Sequence, residues 1–235
     1  MIITLLTDYG DFYAAQIKGI LTSAQTIDIT HDIRPHKNSV YAGAYILRHA
    51  ADKFPKGTLH MAVVDPGVGG KRTALAIRTK NYWFVGPNNG LLAPAAESDG
   101  IKDIFTINMK TESRTFHGKD IFAPAAVQLL KGNRKFLQKT KDYVRLDLNN
   151  KAFINRFGNI ELPIKEEIIS ANGTAVKNYS TYSDAQHGEL FSVIDSRGLR
   201  EIAVREGNAH RKLGSKIVVR TKNKSYNFDV IRLGV

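Results

Sequence analysis

Three side chains that together could activate a water molecule lie in separate parts of the sequence. Asp65 follows the apolar run 61–64, Arg72 closes the glycine-rich turn that comes next, and His117 precedes the apolar segment 122–130. An aspartate, an arginine and a histidine that meet can hold a water and take its proton. An aspartate in a glycine-rich turn is also a common turn cap. Spacing alone does not decide between these two interpretations of Asp65.

A fourth polar side chain, Asp8, follows another apolar run, 2–6. The carboxyl ends of parallel strands meet at one edge of an open α/β sheet, where such sheets bind their ligands. If both runs are parallel strands, Asp8 and Asp65 share a cleft.

Other motifs for ligand or metal binding are not supported. The segment 67–72 lacks the spacing of a phosphate-binding loop and precedes a predicted strand. His31, His36, His49 and His60 follow no metal motif, and the chain contains no cysteine. We therefore expect neither nucleoside triphosphate binding nor a metal site.

The composition is that of a soluble globular protein. Hydrophobic residues make up 43% and charged residues 24% of the 235 residues. The first residues lack the basic leader of a signal peptide, and no apolar run approaches the roughly 20 residues of a membrane span. We expect a cytoplasmic protein without a membrane partner.

The formal net charge of +12 raises nucleic acid as a possible partner. Two segments are locally basic: 131–141 has five basic residues and 211–224 has six, and neither contains an acid. Neither has the interleaved aromatic residues of a stacking platform. We interpret both as solvated faces, and nucleic acid is not the expected partner.

The first 140 residues alternate between predicted strands and helices. The predicted strands are 2–6, 26–30, 60–64, 75–78, 82–85 and 103–107, and the predicted helices are 12–23, 40–51, 91–97 and 122–130. This alternation predicts an N-terminal α/β domain, residues 1–140, with a mainly parallel sheet.

The pattern changes from about Asp142. Short β-type runs occur at 152–154, 191–194, 202–204, 216–220 and 228–232, with no helix predicted between them. They predict a smaller C-terminal domain, residues 150–235, with a β-barrel-like sheet. The turns at 155–159 and 195–201 carry amides, a hydroxyl and an aromatic ring, which suit a base and an amino-acid group. Ordinary turn chemistry is the alternative.

Eight motifs in register give the chain a close resemblance to a known family. They are Thr7-Asp8-Tyr9-Gly10; Asp28-Ile29-Thr30-His31; Phe54-Pro55-Lys56-Gly57-Thr58; Val63-Val64-Asp65-Pro66-Gly67-Val68-Gly69 with Arg72; Pro87-Asn88-Asn89-Gly90-Leu91-Leu92; Thr115-Phe116-His117-Gly118 with Asp120-Ile121-Phe122-Ala123-Pro124; Arg156-Phe157-Gly158-Asn159; and Ser196-Arg197-Gly198 with Glu201-Ile202-Ala203. Together they resemble the S-adenosyl-L-methionine hydroxide adenosyltransferase family, which is related to the fluorinase and chlorinase enzymes.

The resemblance implies a fold, an assembly and a reaction. It implies an N-terminal α/β domain, a C-terminal β-barrel-like domain and a homotrimer with its sites at subunit interfaces. S-adenosylmethionine is the small-molecule substrate, and no cofactor is implied. Water or hydroxide displaces methionine from C5′ and yields adenosine and L-methionine.

The resemblance also assigns roles to residues. It places water activation on Asp65, Arg72 and His117, and ribose binding on Asp8. It places further ligand contacts on Asn159, Ser196, Glu201 and Val204, and an aromatic contact to adenine near Tyr182. One departure concerns substrate affinity. Asn155 stands where the family usually has an aspartate, so the hydrogen bond is kept and the charge is lost.

Two other functions remain as alternatives at this point. A halogenase would use the same pocket, but a halide needs no base and is repelled by a carboxylate, so Asp65 and His117 favour water. A non-catalytic protein that binds adenosine or S-adenosylmethionine is the second alternative.

Overall fold

The computed structural model describes residues 2–28, 39–111, 113 and 115–233 of the chain. They fall into two compact units, residues 1–146 and 147–235. No helix within the described ranges is long and apolar enough to span a membrane. His31, His36, most of the Asp28-Ile29-Thr30-His31 motif and the end of the predicted strand 26–30 lie outside the described residues.

The N-terminal unit consists of alternating strands and helices. Its strands are β1 (Ile2–Thr7), β2 (Gln25–Asp28), β3 (Leu59–Val63), β4 (Ala74–Thr79), β5 (Trp83–Pro87), β6 (Ile101–Ile107) and β7 (Leu137–Thr140). Its α-helices are α1 (Asp11–Ile20), α2 (Ser39–Ala50), α3 (Ala93–Asp99) and α4 (Ala123–Leu130). A π-helical turn, Gly118–Phe122, leads into α4, and 3₁₀ turns at Leu21–Ser23 and Ala51–Lys53 end α1 and α2.

These strands form one sheet in the order β2-β1-β3-β5-β4-β6-β7. The four strands β2, β1, β3 and β5 are parallel, whereas β4, β6 and β7 are joined antiparallel. The α/β class is confirmed. The antiparallel half arises because the connection between β4 and β5 is too short for the crossover that parallel pairing requires.

The parallel half is buried on both faces. The odd-numbered side chains Ile3 and Leu5 of β1 and Met61 of β3 belong to a core with Ile17 of α1 and Phe122. On the opposite face, Val64 contacts the backbone of α2 at Gly43. Successive side chains of a strand point to opposite faces, so strands covered on both sides are apolar throughout.

The C-terminal unit is mostly β-structure. Its strands are β8 (Lys151–Ile154), β9 (Ile160–Glu161), β10 (Ile168–Ala171), β11 (Thr174–Ala175), β12 (Lys177–Asn178), β13 (Leu190–Ile194), β14 (Arg200–Val204), β15 (Lys216–Thr221) and β16 (Ser225–Arg232). They form a second sheet in the order β11-β10-β15-β16-β8-β9-β14-β13-β12.

This second sheet nearly closes on itself. The side chain of Asn178, on the last strand, donates to the carbonyl of Ile168 at 2.7 Å and accepts from its N–H at 3.1 Å. The predicted β-barrel-like sheet is confirmed. The prediction that no helix separates its strands was wrong, because α5 (Ala209–Leu213) follows β14. Asn208 caps this helix by accepting the N–H of Arg211 at 2.8 Å, and five residues are too few to show a helical period.

Candidate active site

Asp65 lies at the carboxyl edge of the parallel strands. β3 ends two residues earlier, and Asn89 donates to the carbonyl of Val64 at 2.9 Å, which holds the strand exit in place. The Asp65 carbonyl accepts the N–H of Val68 at 3.2 Å and starts the glycine-rich turn. Only 2% of the Asp65 side chain is exposed. This carboxylate is therefore held rigidly and largely out of bulk water.

Arg72 returns from that turn to form an ion pair with Asp65. Its Nε lies 2.9 Å from Oδ2 and 3.1 Å from Oδ1, and its Nη2 also donates to Oδ2. The guanidinium lies 5.4 Å from the ring centroid of Phe122. The carboxylate is thus bound by a fork of charged donors.

The residue after Arg72 is hydrogen-bonded to the residue that follows β5. Asn88 Nδ2 donates to the hydroxyl of Thr73 at 3.0 Å, and the Asn88 N–H donates to the Thr73 carbonyl at 3.0 Å. These contacts fix the backbone next to Arg72. They explain how the motif at 87–90 helps to place a side chain that lies elsewhere in the sequence.

His117 joins the same cluster from a third element. Arg72 Nη2 donates to His117 Nδ1 at 2.8 Å. An arginine nitrogen can only donate, so Nδ1 accepts and the imidazole proton is on Nε2. Burial, and then the charge of Arg72, lower the pKa of His117. His117 caps the π-helical turn, a type of turn found often at functional sites.

Asp8 belongs to the same edge of the sheet. β1 pairs in parallel with β3, with Thr7 opposite Val63, so the residues that follow each strand are neighbours. Burial raises the pKa of Asp8 to about 6. A backbone hydrogen bond lowers this pKa, and the negative charge of Asp65 raises it further. The Asp8 carboxylate is therefore a weak acid that changes charge near pH 6.

Tyr9 is a functional candidate that the sequence analysis quoted in a motif but did not single out. Its ring packs edge-on against Phe116, with centroids 5.4 Å apart. A Cβ at Gly118 would lie 2.9 Å from its hydroxyl oxygen, so a glycine after His117 makes room for this phenol. Its adjacency to Asp8 was the one signal that could have identified it.

In the C-terminal unit, the predicted ligand contacts line one cavity. Its volume is about 1290 Å³. All five predicted residues face it: Asn159, Tyr182, Ser196, Glu201 and Val204. This volume is ample for a ligand of nucleoside size.

Glu201 is the centre of a hydrogen-bond network in this cavity. It is 4% exposed, and its Oε1 accepts from Asn159 Nδ2 and from the Tyr182 hydroxyl, both at 2.8 Å. Burial raises the pKa of Glu201, while these two donors oppose the shift. The carboxylate orders an amide and a phenol that are both able to contact a planar polar ligand.

Glu161 is a charged residue of this cavity that the sequence analysis did not name. Glu161 Oε1 accepts from Asn155 Nδ2 at 3.3 Å, and its Oε2 accepts from Arg197 at 2.9 Å. Asn155 also reaches Glu201, at 3.5 Å. Asn155 therefore bridges two carboxylates. Glu161 lies on a two-residue strand and carries no sequence signal of its own.

The turn that carries Asn155 and Asn159 depends on a glycine. Gly158 has a φ of 81°, and an added Cβ would lie 2.0 Å from the side-chain nitrogen of Asn208. Only glycine fits both this backbone conformation and this contact.

No group of three or more metal-ligating side chains occurs in the part of the chain that the structure describes. His60 is buried among aromatic rings and shares a hydrogen bond with Thr4 Oγ1 at 2.8 Å, which is a core role.

Comparisons with known proteins match both units. Residues 3–138 match the model of the SAM hydroxide adenosyltransferase N-terminal domain, and residues 152–220 match that of the C-terminal domain. The chain is 38% identical over 184 residues to "(R)-S-adenosyl-L-methionine hydrolase" of Methanocaldococcus jannaschii, covering 72% of this chain and 69% of that protein. It is 32% identical over 247 residues to the protein of the same name from Salinispora tropica, covering 90% and 93%.

A solved structure shares the fold. An uncharacterized conserved protein from Thermotoga maritima superposes with a TM-score of 0.79 and 31% identity, over 96% of this chain and 99% of that one. Similarity to a fluorinase of Actinopolyspora mzabensis is more distant, at 23% identity over 165 residues and 56% of this chain.

Proposed function

The chain belongs to the SAM hydroxide adenosyltransferase family, and from this premise we propose that it hydrolyses S-adenosyl-L-methionine to adenosine and L-methionine. The observation that carries the proposal is the Asp65–Arg72–His117 cluster at the edge of the parallel strands. It combines a carboxylate, a fixed guanidinium and a neutral imidazole with a donor Nε2–H. These are the groups needed to hold and deprotonate a water.

In the proposed reaction the water oxygen attacks C5′. The new bond joins that oxygen to C5′, the C5′–S bond breaks, and its electron pair stays on the sulfur of methionine. One water proton leaves and the other remains on the 5′-hydroxyl of adenosine. Attack by a hydroxide-like oxygen on a sulfonium cancels opposite charges in the transition state, so removal of both groups from bulk water favours the step.

The cluster geometry supports a division of roles. The one lone-pair nitrogen of His117 is occupied by Arg72, so His117 serves as a hydrogen-bond donor to the water through Nε2. A carboxylate then receives the water proton, and we assign this role to Asp65, which Arg72 orients. Asp8 is assigned to the ribose hydroxyls, as the family resemblance implies.

The cavity of the C-terminal unit is proposed to bind the adenosine and methionine groups. Asn159 offers an amide and Tyr182 an aromatic ring to the base, while Ser196, Glu201 and Val204 complete the lining. The protein carries a charge of +12, so a cationic sulfonium substrate needs local acids. Glu161 and Glu201 in the cavity, and Asp8 and Asp65 at the edge of the parallel strands, supply them.

We extend the proposal to a cytoplasmic homotrimer whose sites combine residues of neighbouring subunits, as the resemblance implies. Mixing tests it. Inactive Asp65→Asn and inactive Glu201→Gln proteins, unfolded and refolded together, regain activity if one site draws on two subunits. They regain none if each site uses a single chain.

The reaction itself is tested by product analysis. The purified protein is incubated with each sulfonium epimer of S-adenosylmethionine, with and without chloride or fluoride. Adenosine and methionine in equal amounts, independent of halide, support hydrolysis. A 5′-halo-adenosine formed only with halide would establish a halogenase, and saturable binding without products would establish a binding protein.

A further inference from the structure

The Tyr9 hydroxyl lies next to the segment that carries His117 and has no hydrogen-bond partner among the residues that the structure describes. Tyr9 follows Asp8 directly, and its oxygen lies against Gly118, the residue after His117. Its ring is held by Phe116, which also packs against Tyr13 at 5.5 Å. The phenol is thus fixed between the two polypeptide segments that carry Asp8 and His117.

The Tyr9 hydroxyl makes no hydrogen bond to any residue that the structure describes. The hydroxyl oxygen is not completely buried either. A mostly buried phenol usually finds a partner for its O–H. The ring is therefore anchored while the O–H is left available to a bound molecule.

The electrostatic surroundings make this phenol a donor. Burial, and then the negative charges of Asp8 and Asp65, raise the pKa of Tyr9 above its ordinary value, while Arg72 opposes the shift. The ordinary pKa of a tyrosine is near 10, so this phenol is protonated at neutral pH. It can give a hydrogen bond to an anion but cannot act as a base.

The Asp65–Arg72–His117 cluster leaves room for a further hydrogen-bond donor to the attacking oxygen. Both Asp65 oxygens and two nitrogens of Arg72 are engaged with each other, and Nδ1 of His117 accepts from Arg72. An oxygen that becomes hydroxide-like requires donors directed at it, as an oxyanion does. We propose that the Tyr9 hydroxyl donates a hydrogen bond to the oxygen of the attacking water, which makes Tyr9 a further catalytic residue. This inference rests on the proposed hydrolysis.

Tyr9→Phe tests the inference because it keeps the ring and removes only the hydroxyl. Tyr13→Phe is the matched control, since Tyr13 packs on the same Phe116 but is 51% exposed. A hydrogen bond to a charged group corresponds to roughly 10- to 100-fold in rate. We expect kcat of Tyr9→Phe to fall by that factor with KM changed less than about threefold, and Tyr13→Phe to match the wild type.

The pH profile separates this role from a structural one. Without the donor the bound water is a weaker acid, so the deficit of Tyr9→Phe in kcat should shrink as the pH rises. A wild-type kcat, a rise in KM alone, or a pH-independent loss accompanied by a lower melting temperature would each overturn the inference. Failure of the wild-type protein to form adenosine is a different result, because it removes the proposed function itself.

Discussion

Arg72 donates to Nδ1 of His117 at 2.8 Å and thereby places the imidazole proton on Nε2. The same guanidinium also binds both oxygens of Asp65. One arginine therefore sets the tautomer of the histidine and orients both oxygens of the aspartate.

This tautomer predicts that His117 acts as a donor. His117→Gln retains an N–H near the position of Nε2, so it should keep roughly 10-fold more kcat than His117→Ala, which should lose about 100-fold or more. Steady-state assays of adenosine release check this. Equal losses in both variants would contradict the donor role and indicate that His117 takes the proton.

Asp65 is predicted to matter for turnover far more than for binding. Asp65→Ala should lower kcat by roughly 100- to 10,000-fold while the affinity for S-adenosylmethionine, measured by calorimetry, changes little. It should also destabilise the protein, because Arg72 is left mostly buried without its counter-ion. The double variant Asp65→Ala/Arg72→Met should recover the melting temperature but not the activity. Comparable turnover in Asp65→Ala would remove the water-activating role.

Asp8 is predicted to destabilise the fold at neutral pH. The pKa of Asp8 is about 6 in the folded protein, against an ordinary value near 3.8. Protonated Asp8 therefore stabilises the folded state relative to ionised Asp8. This contribution to the free energy of unfolding is complete below about pH 4 and is lost as the pH rises through 6. Asp8→Asn should therefore gain about 1 to 3 kcal/mol of unfolding free energy at pH 7.5 and little at pH 4, after allowance for solvent screening. Urea unfolding at the two pH values measures it. An equal change in unfolding free energy at both pH values would show that ionisation of Asp8 is not the cause.

Asn155 is predicted to suit its two glutamates better than an aspartate would. Asn155→Asp replaces a donor to Glu161 and Glu201 by a third negative charge. The melting temperature should fall at pH 8, by the equivalent of about 1 to 2 kcal/mol, and the deficit should narrow at pH 5 as carboxylates protonate. Asn155→Asp/Glu161→Gln should restore most of it. An unchanged melting temperature in Asn155→Asp would show that the bridge carries no stability.

His60 is predicted to make the N-terminal unit sensitive to acid. Burial lowers its pKa to about 4, so its contribution to stability is complete above about pH 6.5 and is lost as the pH falls towards 4. The loss should reach about 3 kcal/mol at pH 4. Thr4→Val/His60→Phe, which removes both partners of the hydrogen bond, should flatten the dependence of unfolding free energy on pH in this window. The same slope in that variant would assign the acid sensitivity to other groups.

Much of the fold was predictable because it follows from local patterns. The apolar runs before Asp8 and Asp65 form β1 and β3, and their alternation with helical segments indicated the α/β class. Failures occurred where local signal is short. The helix after Asn208 has five residues, and β9 to β12 have two to four.

The sequence by itself determined which residue types were available for chemistry: Asp8, Asp65, Arg72 and His117 were all recognised from their motifs. Only the tertiary structure decided how they are used. The Arg72–His117 contact joins residues 45 positions apart, and Glu161 meets Arg197 across 36. The tautomer of His117, the pKa of Asp8 and the lack of a partner for the Tyr9 hydroxyl among the described residues depend on burial and on charges brought together by folding. The residues next to each of these side chains in the sequence do not show how deeply it is buried or which charges lie near it.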